Sequence, residues 1–268
     1  MSHNKNNKLF DVREKIIIIT GGSGNLGSIY AEHLVNEGAL VYNLDIKDPK
    51  KNKTSSAKNY NFLQADLTKK NAIKMALEEV VKTSGIPDAL INNAALDSPP
   101  GDQAIINGRF EDYPEDAWDD VIEVNLKSIF LCCQVIGASM SKNNNGGSIV
   151  NISSHYGIVS PDQRIYSYRK QEFNKPISYA TSKSGVLNLT RYLSTYWGSK
   201  NIRVNTLTLG GVFDGQDEQF VNNYSSKVPL GRMATKEEYC GAIQFLISSA
   251  SSYMTGANLI LDGGWTAW

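Results

Sequence analysis

The stretch Lys15-Ile-Ile-Ile-Ile-Thr-Gly-Gly-Ser-Gly-Asn-Leu-Gly27 decides the fold. Its β-branched opening, Lys15 to Thr20, reads as a short strand that breaks at once into glycines. Helical spacing follows over Asn25 to Glu37, Gly38 stops it, and Ala39 to Asp45 is strand-like again. Strand, turn, helix and strand in that order make a βαβ unit, and strands joined through a helix run parallel.

The alternation continues outward from this unit. Strands are expected near Asn61 to Ala65, Ala89 to Asn92, Ser148 to Ser153, Arg203 to Thr208 and Asn258 to Leu261, with helical segments near 69–83, 115–141, 179–198 and 235–248. Seven strands alternating with helices predict an α/β fold, a doubly wound parallel sheet covered on both faces. A chain of 268 residues of this class commonly forms one domain, and no internal repeat or linker divides it.

Composition narrows the function classes. The 27 basic side chains balance 27 acidic ones, so no large field points to nucleic acid or an anionic membrane, and the expected partner is a small molecule. Cys132, Cys133 and Cys240 leave an odd count with two neighbours in sequence, a poor disulfide framework that suits a reducing cytoplasm. Met1 to Lys8 lacks the apolar stretch of a secretory signal, and the aliphatic run Ile16 to Ile19 is too short to span a bilayer. No His, Cys and Asp cluster has metal-ligand spacing, so no catalytic metal is expected.

The glycine turn lies where bare backbone can approach a pyrophosphate and free N–H groups at a helix start can hold its charge. Asp45 follows 18 residues after Gly27 at the end of the second strand, completing a dinucleotide fingerprint. Its carboxylate would accept the ribose hydroxyls and repel a 2′-phosphate, so the expected cofactor is NAD, although Lys47 nearby could partly offset the repulsion.

With the segments that follow it in order, this turn resembles that of the short-chain dehydrogenase/reductase family, from Lys15 to Trp265. Those segments are Asp66-Leu67, Asn92-Asn93-Ala94-Ala95, Asn125, Ser153-Ser154, Tyr179-Ala-Thr-Ser-Lys183, Ile202-Arg-Val-Asn205 and Leu261-Asp-Gly-Gly-Trp265. The resemblance implies a single-domain, Rossmann-like oxidoreductase interconverting a secondary alcohol and a ketone. It places the cofactor against Gly21, Ser23, Asn25, Leu26, Gly27, Asp45, Asp66, Leu67, Asn93, Ala94, Tyr179, Lys183 and Val212, and the catalytic set at Asn125, Ser154, Tyr179 and Lys183. From the residues alone, Asp66 could equally cap the next helix with Thr68, and Asn93 could simply satisfy buried backbone. Ser154 could cap a strand end, and Asn125 could bond its own helical turn.

Two Tyr-x-x-x-Lys pairs compete for the proton-transfer role. Tyr166 lies 12 residues after Ser154, close to the family's usual interval, and Tyr179 lies 25 after it. Downstream sequence reverses the choice: Tyr179 opens an apolar helical pattern through Leu187, Leu189 and Leu193, whereas Gln171 to Pro176 would break a helix begun at Tyr166. Residues 160–177 therefore read as an inserted loop. A phenol near pKa 10 accepts an alcohol proton poorly at neutral pH, so the charge of Lys183 is expected to lower the Tyr179 pKa. By the family's pattern Lys183 also holds the nicotinamide ribose, Ser154 orients the substrate oxygen, and Asn125 holds a water. His155 beside Ser154 suggests hydrolase chemistry, but no glycine-framed nucleophile elbow is present.

Three positions depart from the family's pattern: Asn25 for the second glycine of the turn, Ala95 for a glycine, and Leu209 for a proline. Asn25 tolerates left-handed backbone better than most residues but adds a side chain near the phosphates. Residues 211–233, with Phe213, Asp214, Gln216, Phe220 and Tyr224, are expected to form a substrate lid. With Arg164, Tyr166, Tyr168 and Arg169 of the insertion, they offer aromatic and guanidinium groups to a polar ligand. The insertion and the ending Gly263 to Trp268 resemble a subgroup tied to bacterial surface-sugar and flagellin modification, which implies a sugar or nucleotide-linked sugar substrate. The alternatives are reduction of a non-sugar carbonyl such as a 3-oxoacyl chain, and a non-catalytic dinucleotide sensor or scaffold. Helices near 115–141 and 179–198 match those of family interfaces, and the apolar end at Trp265 and Trp268 is expected to bury against another subunit of a homotetramer, or failing that a dimer.

Overall fold

Short aliphatic and aromatic stretches flanked by turns build the strands of a seven-stranded sheet, β1 (Ile16–Thr20), β2 (Leu40–Asp45), β3 (Tyr60–Gln64), β4 (Ala89–Asn92), β5 (Gly147–Ser154), β6 (Ile202–Leu209) and β7 (Asn258–Leu261). The computed structural model describes residues 8–51, 53–143, 145–169 and 173–268. Every strand pair is parallel, and the order is β3-β2-β1-β4-β5-β6-β7. The expected Rossmann-like sheet in a single domain is therefore present, with strand ends within a residue or two of those read from sequence.

Two cores sandwich the sheet. On one face α2 (Lys70–Thr83), α3 (Glu115–Met140) and α4 (Ile177–Trp197) bury Ile73, Ile136 and Val186; on the other α1 (Asn25–Asn36) and α6 (Cys240–Ile247) bury Leu34 and Ile243. Burial of each such aliphatic side chain contributes about 1.5–3 kcal/mol. By length and composition α3 is apolar enough to cross a bilayer; in the fold half of its apolar window is buried, with Ile129, Cys132, Ile136 and Met140 inside the core. Two π turns, Glu123–Lys127 and Cys133–Gly137, interrupt it, and Asn125 sits in the first.

The chain runs outward from β1 to β3 and then returns past β1 to β4, so the connections leave opposite sides of the sheet at β1 and β4. At such a reversal the carboxyl ends of the strands open into a crevice.

A third cluster departs from the sequence reading. Part of the 211–233 stretch folds as α5 (Glu218–Ser225), which Asp217 caps by accepting the Phe220 N–H at 2.9 Å. Val228 and Met233 pack there with Tyr166, Ile165 and Trp265. Trp265 is thus buried within its own chain against Tyr224, 4.5 Å between ring centroids, which corrects the expectation that it faces another subunit. Trp268 remains exposed and donates Nε1–H to the Lys227 carbonyl.

Candidate active site

The nucleotide half of the crevice is built from backbone. Gly21 adopts φ +66°, and a Cβ on it would fall 2.7 Å from Ala94 Cα, so both conformation and space require glycine. At Gly27 an added Cβ would meet the Gly21 carbonyl oxygen at 2.1 Å, because α1 packs directly on the turn. Helix α1 starts after Gly24 with no side-chain cap, which leaves first-turn N–H groups for a ligand. Asn25 begins that helix without positive φ, so its replacement of glycine needs no left-handed backbone.

Asp45 ends β2 with its carboxylate aimed at the turn: Oδ2 accepts the Ser23 N–H and Oδ1 the Lys47 N–H, each at 3.0 Å. Lys47 thus serves Asp45 through its backbone. Asp66 accepts the Thr68 N–H and hydroxyl at 2.9 and 2.7 Å, which holds its pKa below the usual carboxylate range; it closes a local turn and does not cap α2, whose first flanking residue is Lys69. Asn93 donates to the Thr20 and Gly21 carbonyls, and the Thr20 hydroxyl accepts the N–H groups of Asn93 and Ala94, so β1 and β4 are laced together under the turn. Ser23, Asn25, Leu26, Leu67 and Val212 line the same cleft, of about 990 Å³, while Gly27 supports it from behind.

The opposite half is built from side chains. Pro176, with φ fixed at −53°, ends the inserted segment and starts α4, placing Tyr179 and Lys183 one turn apart on its inner face. Ser154 closes β5, where its hydroxyl accepts the Tyr156 N–H at 3.2 Å and stands within reach of the Tyr179 hydroxyl. Tyr166 lies instead in a 3-10 turn, Gln163–Tyr166, buried against Phe173 and Phe220; its partner Lys170 lies outside the described residues.

The charge state of the pair differs from expectation. Burial pushes the Tyr179 phenol well above its ordinary value, only partly opposed by the Ser154 hydrogen bond. Lys183 stands 5.8 Å from the tyrosine ring, donates to the Ile152 carbonyl at 3.1 Å, and is itself pushed down to about 8 by burial. Burial therefore outweighs any lowering of the phenol by Lys183. Asn125 is fully buried behind the cleft: its carbonyl accepts the Leu96 N–H at 2.7 Å, and its amide donates to the Leu96 carbonyl and the Ser182 hydroxyl.

His155 is no nucleophile activator. Its Nδ1 lies 3.1 Å from the Leu209 carbonyl, which can only accept, and 3.5 Å from the Ser154 hydroxyl. Burial pushes its pKa down to about 4, so the ring is neutral at physiological pH.

The inserted segment and the stretch after β6 interlock. Tyr168 donates to Asp217 at 2.6 Å, Arg169 pairs with the same carboxylate at 3.7 Å, and Asn223 donates to the Ile165 carbonyl. Tyr166, Arg169, Asp214, Gln216, Phe220 and Tyr224 face the cleft. Arg164 turns outward to Asp162 and is exposed, so it is not part of the cleft wall. Lys175 was not legible as a site residue: its ammonium lies 4.7 Å from the Tyr179 ring centroid and 2.5 Å from Asp97. In sequence it sits in a polar run before a proline, with no spacing that distinguishes it from a solvated loop lysine.

Residues 22–266 match a family described as enoyl-(acyl carrier protein) reductase. The chain is 32% identical to an NAD-dependent glycerol dehydrogenase of Listeria innocua, covering 97% of this chain and 96% of that one. It is 31% identical to the 2-dehydro-3-deoxy-D-gluconate 5-dehydrogenase of Escherichia coli, over 96% and 98%, and 34% identical to a 3-oxoacyl-(acyl-carrier-protein) reductase of Thermotoga maritima, over 93% and 97%. Among solved structures, a short-chain dehydrogenase of Leptospira borgpetersenii with bound NAD+ superposes with a TM-score of 0.88 at 34% identity, covering 99% of this chain and 98% of that one. With a glycine cradle that fits a nicotinamide dinucleotide and a Ser, Tyr and Lys set across the cleft from it, the chain belongs to the short-chain dehydrogenase/reductase family and is an oxidoreductase acting on CH–OH groups.

Proposed function

We propose that this enzyme uses NAD(H) to interconvert a secondary alcohol and a ketone on a polyol or sugar, free or nucleotide-linked, with Tyr179 as its general acid and base. The observation that carries the reading is the convergence of Ser154, Tyr179 and Lys183 on one cleft with the Asp45-flanked glycine turn. The α1 N-terminus and the Gly21–Gly27 backbone would hold the pyrophosphate, Asp45 the adenosine ribose, Asp66 and Leu67 the adenine, and Lys183 with Asn93, Ala94 and Val212 the nicotinamide half. When bound, the dinucleotide supplies the acceptor or donor of the hydride.

The chain's own residues then handle the proton. Ser154 holds the substrate oxygen against Tyr179, whose phenolate oxygen accepts the alcohol proton in oxidation and whose hydroxyl returns it in reduction. A buried phenol with a raised pKa favours the protonated form and suits the donor role; the same group acts as acceptor once positive charge gathers beside it. Asn125 fixes the Leu96 segment that walls the site, a positioning role to which a bound water would add a path for protons toward Lys183.

The named activities of the similar proteins, on glycerol and on 2-dehydro-3-deoxy-D-gluconate, support a polyol or sugar substrate. The resemblance to 3-oxoacyl reductases supports a second reading, reduction of an acyl ketone, while Asp97, Gln103, Asn107, Arg169 and Lys175 beside the aromatic lining favour a polar substrate. We further infer a homotetramer in a reducing cytoplasm. Tyr192, Tyr196 and Phe130 expose aromatic surface on α4 and α3 suited to a second copy, and all three cysteines are buried and unpaired.

Titration with NADH and NADPH in parallel, read by tryptophan fluorescence, tests the cofactor assignment; tighter binding of NADPH would sink it. NADH formation across a panel of polyols and sugars tests the reaction. Turnover of a 3-oxoacyl thioester with none of the panel oxidised would replace the proposed substrate class with the second reading.

A further inference from the structure

The phenol of Tyr179 is flanked by two ammonium groups, and only Lys183 has a part in the proton chemistry above. Lys175 lies nearer the ring, 4.7 Å from its centroid against 5.8 Å. Its backbone is fixed on both sides. The Lys175 N–H donates to Gln163 Oε1 at 2.9 Å, Asn174 donates its N–H to the Asn107 carbonyl and its side-chain amide to the Gly108 carbonyl, and Pro176 begins α4.

The ion pair that Lys175 makes is lopsided. Its side chain is only 11% exposed, while that of its partner Asp97 is 76% exposed. A lysine so covered along its side chain and facing the cleft favours a negative partner. An exposed carboxylate is almost fully hydrated and makes a weak surface partner, so it is readily exchanged for another anion. The cation is built in and its counterion is replaceable. Among the described residues, the other cation of this segment that lines the cleft is committed elsewhere: the Arg169 guanidinium stacks on Phe173 at 4.2 Å and pairs with Asp217.

We infer that Lys175 determines substrate specificity by receiving a carboxylate or phosphate group carried a few bonds from the carbon that exchanges hydride, displacing Asp97. The inference rests on the oxidoreductase reading of the same cleft and narrows its substrates to acidic polyols, either sugar acids or sugar phosphates. Ser98, Gln103 and Asn107 line the adjoining wall and are tied to one another, the Ser98 hydroxyl and the Asn107 amide both donating to Gln103 Oε1.

The test is binding calorimetry on the enzyme saturated with NADH, using D-glucitol, D-gluconate and D-glucitol 6-phosphate as probes. At least one anionic probe should bind tenfold or more tightly than glucitol, and the stronger of the two tells which anion the subsite is built for. Lys175→Met should bring that ratio to within about twofold, and Lys175→Arg should retain most of it. Asp97→Asn, on an exposed side chain, should tighten the preferred anion about threefold by removing its competitor. Equal binding of all three probes, an anion preference that survives Lys175→Met, or weaker anion binding in Asp97→Asn would each overturn the inference. NADH formation measured in parallel separates the two readings: glucitol oxidised without anion preference removes only the role of Lys175, whereas anion preference without any turnover removes only the assigned reaction.

Discussion

The two walls of the cleft are made in different ways. The nucleotide wall is backbone: Gly21 and Gly27 leave no room for a Cβ, and Thr20, Asn93 and Ser23 spend their hydrogen bonds on the chain itself. The substrate wall is side chains brought together from remote segments, with Tyr166, Phe173 and Phe220 stacked and Tyr168, Arg169 and Asp217 tied by charge. A wall of backbone tolerates few substitutions and binds a chemical group common to many enzymes. One of side chains can be rebuilt without disturbing the sheet beneath.

The largest effect should come where the walls meet. Tyr179→Phe keeps the ring but removes the hydroxyl that faces Ser154, so kcat should fall about 1000-fold, within the range of general acid–base catalysis. NADH quenching of tryptophan fluorescence should survive in the variant. Retention of more than a tenth of wild-type turnover would move the proton transfer to another group.

Gly27→Ala strikes the nucleotide wall alone. Its methyl group would lie 2.1 Å from the Gly21 carbonyl oxygen and 2.8 Å from the Asn93 amide, both held in place by the β1–β4 lacing. Overpacking of this kind costs about 1–3 kcal/mol, so a lower denaturation midpoint and at least tenfold weaker NADH binding are expected. An alanine accommodated without either change would show that the turn is softer than its contacts imply.

The same contrast explains what could be read in advance. The strands and their ends, the glycine turn and Asp45 were legible because each rests on local chemistry: β-branched runs, a positive φ and a helix start lie within a few residues of one another. Tyr179 was separable from Tyr166 for the same reason, since Pro176 fixes where α4 can begin. Lys175, Asp97 and the burial of Trp265 were not legible, because their meaning depends on contacts across 78 residues of sequence in one case and on a stacked Tyr224 in the other. The Tyr179 pKa was misjudged because helical spacing predicts that a lysine is near but says nothing of desolvation, which here outweighs it. Helix α5 was hidden in the stretch read as a substrate lid, where only the cap by Asp217 marks its start.

Asp45→Ser sharpens the comparison by altering the charged side chain of the nucleotide wall to which the proposed function assigns the adenosine ribose. Ser23 and Lys47 would lose the acceptor of their N–H groups, but the glycine turn would keep its shape through Gly21 and Leu44. The ratio of NADH to NADPH affinity should fall by roughly tenfold, about 1.4 kcal/mol, measured by the same fluorescence titration. An unchanged ratio would place the selectivity elsewhere on the wall.

The smallest effect belongs to a buried group of the substrate wall. His155 packs against Tyr156, Tyr224 and Trp265, and its pKa is pushed down to about 4 by burial, against the raising effects of the Leu209 carbonyl and the charge of Asp262. In the unfolded chain the imidazole takes up a proton near pH 6.5, whereas the folded protein refuses it until about pH 4. Between those values the unfolded state binds more protons, so stability rises with pH and is lost as the pH falls. By pH 5.5 the loss from this one group should be on the order of 1 kcal/mol relative to pH 7. His155→Phe should flatten that limb of the urea-unfolding stability curve between pH 7 and 5.5 while leaving the steeper carboxylate limb below it. An identical slope in the variant would mean that the ring gains its proton without unfolding, and that the aromatic cluster around it opens to solvent.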